Sequence, residues 1–438
     1  MSRDRVDHPP RRPTTSSAPA RLAIAGFVMV FAACAGDPGA ADEPAGTAVP
    51  GDAPLVADGA AGVEQPPAAA GAMAPHLSAA GDGSLLLSWL EPGGEGHRLR
   101  MATWEEGGSW SGATTVATGS DFFANWADVP SVVSDRGGDL YAHWLTALGS
   151  ETYAYGIQLA RSANGGASWQ PLGLLHDDRS PTEHGFVTLV AADGGGVEAV
   201  WLDGRGMTGG GPMTLRTRRV EPAEDGRVEP VDGETVIDER VCECCSTAAV
   251  HTTDGFLVAY RDRSGEEVRD ISLLRRTEGT WSAPRPLHRD GWTIPGCPVN
   301  GPALAADGTE VAVAWFTAAE GAPRVLAARS RDAGASWSAP VEIDADSPLG
   351  RVGVALAPDG DAVVSWLAAD GGVRLRRVGA DGRPGRPVLL AVTAASRASG
   401  VPRLVASGGQ LHVVWVEATE DRPRRLRFAR LRADDLPH

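Results

Sequence analysis

Seven times along the chain an alternating run of apolar residues ends in an aromatic: Ser84 to Trp89, Leu140 to Trp144, Val197 to Trp201, Phe256 to Tyr260, Val311 to Trp315, Ala362 to Trp366 and Leu411 to Trp415. A period of two is the signature of a strand with one face buried. The closing aromatics recur 49 to 59 residues apart. Ahead of each run stands a turn pair, such as Asp82-Gly83, Gly137-Gly138 or Asp359-Gly360, of the kind that supplies the positive φ of a tight hairpin. After each aromatic a polar loop leads to a strand bearing arginine, as in Val325-Leu326-Ala327-Ala328-Arg329. The pattern predicts four strands per repeat, which is one propeller blade. The expected fold is all-β: a β-propeller of seven four-stranded blades over residues 76–438, with six blades as the alternative. The last repeat ends after its third strand. The segment Ala53-Pro54-Leu55-Val56-Ala57-Asp58 resembles the fourth strands elsewhere, so closure of the ring is expected from residues 53–58, which removes exposed strand edges.

The N-terminus reads differently. Arginines at 3, 5, 11, 12 and 21 precede the apolar run Leu22 to Ala33, long enough for a signal segment and short for a membrane span. The run ends in Phe31-Ala32-Ala33-Cys34, which resembles the bacterial lipoprotein signal. That resemblance implies a signal peptide over 1–33, acylation of Cys34, and a cell-envelope protein held to the bilayer by lipid, periplasmic or on the outer surface; an ordinary cleaved signal peptide is the alternative. Residues 34–75 are Ala, Gly, Pro, Asp and Glu with few large apolar side chains, the composition of a flexible tether.

Composition narrows the partners. With 55 Gly and 32 Pro the chain suits short strands and turns. A formal charge of −16 argues against nucleic acid and anionic membrane surfaces. Every basic residue is arginine, which excludes lysine-based catalysis. A monomer is expected.

Two repeats carry Ser162-Ala163-Asn164-Gly165-Gly166-Ala167-Ser168-Trp169 and Ser330-Arg331-Asp332-Ala333-Gly334-Ala335-Ser336-Trp337 between their third and fourth strands. Both resemble the Asp box of sialidases and related BNR-repeat proteins. Asn164 or Asp332 would accept backbone N–H bonds within the turn, while Trp169 or Trp337 packs beneath it. The motif staples a turn and carries no chemistry. The resemblance implies a sialidase-like propeller, and within the catalytic family it would imply an Arg-Ile-Pro motif, three arginines on a substrate carboxylate and a Tyr–Glu pair. The sequence has no Arg-Ile-Pro, and the other elements do not match residue by residue.

In a propeller, the loops that lead into first strands share one face with those joining second to third strands. The first kind carry Trp126, Asp128, His184, Cys242, Cys244, Cys245, Cys297 and Asn300; the second carry Tyr153, Tyr155, Asp203, Arg205, Arg261, Asp262 and Arg263. Loops on a rigid scaffold are where sites are built. Trp126, Asp128, Tyr153, Tyr155, His184, Arg261, Asp262 and Asn300 are therefore the candidate ligand-binding residues, for a small molecule, a glycan or a metal. Each also has a structural reading: packing for the Trp, turn formation for Asp128, a hydrogen-bonded rim for His184, an ion-pair network for Arg261-Asp262-Arg263.

The sharpest element is Cys242-Glu243-Cys244-Cys245 with Cys297 in the equivalent loop of the next blade. Setting Cys34 aside, four cysteines allow three disulfide pairings in an oxidising compartment. Three cysteines within four residues can form only small rings with one another. Four thiolates would instead suit Cu(I) or Zn²⁺, and a redox-labile disulfide is a third possibility. Three functions follow: a ligand- or metal-binding propeller, an exo-glycosidase of sialidase type, or an interaction scaffold without catalysis.

Overall fold

The computed structural model describes residues 55–56, 61–105, 108–222, 228–230 and 233–438. The expected signal segment, Cys34 and much of the expected tether lie outside the described residues. The compact unit runs from Ala53 to His438.

Seven antiparallel blades form the ring. The innermost strands are Met73–Ala79, Ser131–Ser134, His184–Ala191, Ala248–Thr252, Ala303–Asp307, Pro348–Leu356 and Arg403–Ser407. Each is followed by one of the seven alternating runs as the second strand, and outward from there by third and fourth strands. Those runs are buried along nearly their whole length; Val197–Asp203 and Ala362–Ala368 have no exposed position. Apolar faces of neighbouring blades interlock. Val363, Leu375 and Val388 of the sixth blade, for example, pack with Leu411, Val413, Trp415 and Ala429 of the seventh.

A repeated polar bond accompanies that packing. The indole N–H groups of Trp89, Trp201, Trp315 and Trp366 donate to Glu91 (3.0 Å), Asp203 (2.9 Å), Asp290 (2.8 Å) and Asp344 (2.6 Å), and the Tyr260 hydroxyl donates to Asp238. For Tyr260, Trp315 and Trp366 the carboxylate comes from the outer edge of the preceding blade, so the bond fastens blade to blade. Trp366→Phe leaves the Asp344 carboxylate without its buried donor and is expected to cost about 1–3 kcal/mol, read as a lower denaturation midpoint with the slope unchanged.

Closure differs in detail from the sequence expectation. Within 53–58, Leu55–Val56 pairs in parallel with Val388 and Leu389 on the outer edge of the sixth blade. Ala61–Glu64 supplies the fourth strand of the last blade, antiparallel to Arg422–Leu431. Eight residues, 65–72, then cross from the outer edge of the seventh blade to the innermost strand of the first, a span within the reach of an extended segment of that length.

The two box-like turns bond as their sequence requires. Asp332 accepts the Ser336 amide (2.8 Å) and the Ser330 hydroxyl (2.8 Å), and the Gly334 amide donates to Ser330 Oγ (2.8 Å). Asn164, Ser168, Ser162 and Gly166 repeat the arrangement. Gly334 and Gly166 sit at φ of 82° and 86°, where a Cβ would be strained.

Candidate functional site

At the level of the innermost strands a hydrogen-bond belt runs from blade to blade. Ser78 Oγ donates to the Val132 carbonyl (2.9 Å), the Phe186 amide to Asp128 (2.8 Å) and Thr188 Oγ1 to the Thr247 carbonyl (2.9 Å). Arg261 Nε donates to the Asn300 carbonyl (2.8 Å), and the Arg351 amide to Asn300 Oδ1 (2.8 Å). Arg351 Nη1 reaches the Gly400 carbonyl (2.9 Å), and Arg403 Nε the Pro75 carbonyl (3.4 Å). Seven junctions are thereby bridged near the axis, three of them by side chains singled out from sequence, Asp128, Arg261 and Asn300. Arg351 also lies over the Trp126 ring, 4.5 Å from its centroid, which joins the second and sixth blades.

Inside this belt sits a buried acidic group. Tyr155, 2% exposed, donates to Glu183 Oε1 (2.6 Å) and approaches Asp128 Oδ2 (3.4 Å). Its ring stacks on Phe123. Burial pushes the Asp128 carboxyl up to about 8, against the Phe186 amide that favours the carboxylate and with the nearby Glu183 charge adding to the rise. Burial likewise raises Glu183 to about 7. Gly185 is a glycine because a Cβ there would run into the Asp128 carboxylate.

The cysteines come together as the repeat register requires. Cys244 and Cys297 form a disulfide, Cα to Cα 5.9 Å, linking the leading loops of the fourth and fifth blades. Gly301 lets the backbone of Ser246 approach within contact of its Cα, which brings those loops side by side. Cys242 and Cys245 are free and buried, their sulfurs 2.8 Å apart, and Cys242 Sγ lies 3.9 Å from Cys244 Sγ. The sulfurs of Cys242, Cys244 and Cys245 all fall within 4.8 Å of one another. Burial alone would raise the Cys242 thiol; the Cys245 hydrogen bond, the Cys244 amide and the charges of Arg261 and Arg269 outweigh it and hold Cys242 below the usual thiol range. Cys245 moves the other way, through burial and its bond to Cys242. Arg269 Nη1 stands 3.4 Å from Cys242 Sγ and 2.7 Å from Glu243.

The remaining candidates are placed elsewhere or are committed. Tyr153 is 49% exposed at a loop tip. His184 is fully buried, bonded to Asp178 (3.0 Å) and stacked on His176. Arg261 is 1% exposed and gives its guanidinium to the carbonyls of Asn300, Arg269 (2.6 Å) and Phe316 (2.7 Å) above the Trp292 ring. Asp262 accepts from Ser272 (3.0 Å) and the Arg263 amide (2.7 Å), its carboxyl raised by burial and by Asp238. Asp203 is held by Arg205, Trp201 and His184. Glu183, Arg269, Arg351 and Arg403 were not singled out from sequence. Glu183 adjoins His184 in a leading loop, which was the available signal; the arginines carried none.

Fold and site together define a seven-bladed propeller with a thiol-rich face. No known family profile matches the sequence, and no curated protein is similar to it. Solved structures share the fold. The polysaccharide lyase Uly1 superposes with a TM-score of 0.54 at 9% identity, over 88% of this chain and 93% of its own. An ulvan lyase of a new polysaccharide lyase family, bound to a sulfated saccharide, gives 0.54 at 12% identity over 86% and 100%. The NanB sialidase of Streptococcus pneumoniae, as its K499G mutant, gives 0.44 at 12% over 85% and 70%.

Proposed function

We propose that the chain is an exported propeller, lipid-anchored through Cys34 in the cell envelope, whose leading-loop face binds a soft metal ion on Cys242 and Cys245. The observation that carries this reading is two free, buried cysteines whose sulfurs lie, with that of Cys244, within 4.8 Å of one another. Thiolates select soft ions. With Cys244 and Cys297 bridged, two thiolates remain, which suits Cu(I); a structural Zn²⁺ site takes four ligands. A Cu(I) ion on two thiolates carries net negative charge, and Arg269 beside Cys242 offsets it.

Protein purified anaerobically from copper-supplemented cells is expected to retain stoichiometric copper. Cys242→Ser with Cys245→Ser abolishes it, whereas Cys244→Ser with Cys297→Ser does not. Absence of copper in the wild type, or equal retention by all variants, overturns the reading. The anchor has its own test: radiolabelled palmitate enters the wild type and not Cys34→Ala.

The sialidase-type glycosidase has one observation in its favour, the Tyr155–Glu183 bond at 2.6 Å. Against it, the arginines on this face that a substrate carboxylate would need are engaged, Arg261 with three carbonyls and Arg205 with Asp203 and Glu234. Hydrolysis of a sialoside or related glycoside, lost in Tyr155→Phe, would establish it; inactivity across a broad panel removes it.

A further inference from the structure

Four cysteine sulfurs meet at the junction of the fourth and fifth blades, and only one disulfide joins them. The geometry offers that disulfide a second position. Cys242 Sγ is 3.9 Å from Cys244 Sγ, half of the existing bridge, and 2.8 Å from Cys245 Sγ. Cys242 and Cys245 have the two-residue spacing of a C-x-x-C dithiol. The fourth sulfur differs in setting, because Cys297 lies in the exposed stretch from Pro295 to Cys297 while Cys242 and Cys245 are buried.

We infer that the cluster moves one disulfide between two pairings, Cys244–Cys297 and Cys242–Cys245, and that this exchange opens and closes the metal site. The inference deepens the copper reading and rests on it for the word metal; the exchange itself stands on the sulfur geometry. The Cys242 thiolate attacks Cys244 Sγ, a Cys242–Cys244 bond forms, the Cys244–Cys297 bond breaks, and Cys297 leaves with the electron pair and takes a proton from solvent. Cys245, its proton passing to solvent, then attacks Cys242 Sγ; Cys244 leaves and is protonated. One bond is broken and one made, two thiols are consumed and two appear, and no oxidant or reductant is needed. Arg269, held by Glu243 and Glu267, faces the sulfur that carries charge in the first step.

The two pairings have opposite consequences. In the one present here, the leading loops of two blades are tied together and two thiols stand ready for a soft ion. In the other, the dithiol is closed, the tie is released, and Cys297 becomes a thiol at the surface. A ligand that binds only the first pairing draws the population toward it by mass action.

The test is disulfide mapping of wild-type protein, stripped of metal under anaerobic conditions, quenched in acid, differentially alkylated and digested. Both bridges are expected in the metal-free protein. Adding Cu(I) should shift the population to Cys244–Cys297 and slow alkylation of Cys297 in the folded protein by roughly tenfold. The Cys244→Ser, Cys297→Ser variant has no second position, so its copper uptake should be independent of incubation time after stripping. If wild-type protein shows only Cys244–Cys297 at every time, the exchange is overturned while copper binding by the double variant keeps the metal reading. If both bridges interconvert and neither protein binds copper, the metal reading falls and the exchange stands.

Discussion

Arg261→Met is expected to destabilise the protein by about 3–5 kcal/mol, the largest loss of any single change on this face outside the cysteines. The side chain is 1% exposed, and its three donor nitrogens reach carbonyls on three segments: Asn300, Arg269 and Phe316. Methionine fills much of the volume but leaves three buried acceptors without donors, each costing about 1–3 kcal/mol by itself; relaxation of neighbouring loops keeps the sum below simple addition. The guanidinium also lies 4.8 Å from the Trp292 centroid, a contact that lysine retains only in part. Arg261→Lys should therefore recover less than half of the loss, since one ammonium cannot span three divergent carbonyls. Denaturant titration of the two variants beside wild type measures this. Unchanged stability accompanied by lost ligand binding would mean that Arg261 serves a ligand and is not the fastener between the fourth and fifth blades.

Arg261 also shows where sequence reading stops. Its neighbours Asp262 and Arg263 suggest an ion-pair network, but the acceptors that claim it are backbone carbonyls 8, 39 and 55 residues away, and a carbonyl leaves no mark in the sequence. The blade count was legible because its signals are local and repeated: a glycine turn, an alternating run and a terminal Trp or Tyr recur in every unit. Which faces meet followed from that register, and so the Cys242 and Cys297 loops fall side by side. The pairing of cysteines did not follow, because it depends on which Cα atoms stand at 5.9 Å. Closure by Ala61–Glu64 was missed for a related reason. An outer strand such as Ala-Gly-Val-Glu has almost no apolar alternation of its own, and its position is fixed by backbone pairing with Arg422–Leu431. Tyr153 and Tyr155 illustrate both sides. Their spacing would put both on one face of an extended segment, but Tyr153 lies in the turn and is exposed while Tyr155 opens the strand and is buried, and the partner that makes Tyr155 interesting, Glu183, lies 28 residues away.

As pH rises through neutrality the buried carboxyls should withdraw stability, Asp128 the most. Its carboxyl sits near 8 in the folded protein against an ordinary 3.8, and Glu183 near 7 against 4.5. Both groups hold a proton in the native state that the unfolded chain has already released. Their contribution is complete below the unfolded values, shrinks across the interval, and is gone once pH has passed the folded values. Where one group is protonated only in the native state, stability drops by about 1.4 kcal/mol per pH unit. The groups facing them are few: Tyr155 donates to Glu183 and approaches Asp128, the Phe186 amide donates to Asp128, and Cys242 adds negative charge near Glu183. The Phe186 amide and the Tyr155 hydroxyl favour the carboxylates, but burial outweighs them, and no arginine pairs with either carboxylate among the described residues. Buried His76, His143 and His176, held below the usual imidazole range by desolvation, act in the opposite sense below about pH 6.5, so the two carboxyls are read as a downward slope added to the urea midpoints between about pH 5 and about pH 8. Asp128→Asn, neutral at every pH and still able to accept the Phe186 amide, should flatten most of that slope; Glu183→Gln should remove a smaller part, confined to lower pH. Parallel wild-type and Asp128→Asn profiles would show that the carboxyl ionises freely, and the buried trio of Asp128, Tyr155 and Glu183 would then be an open, hydrated site instead of a sealed one.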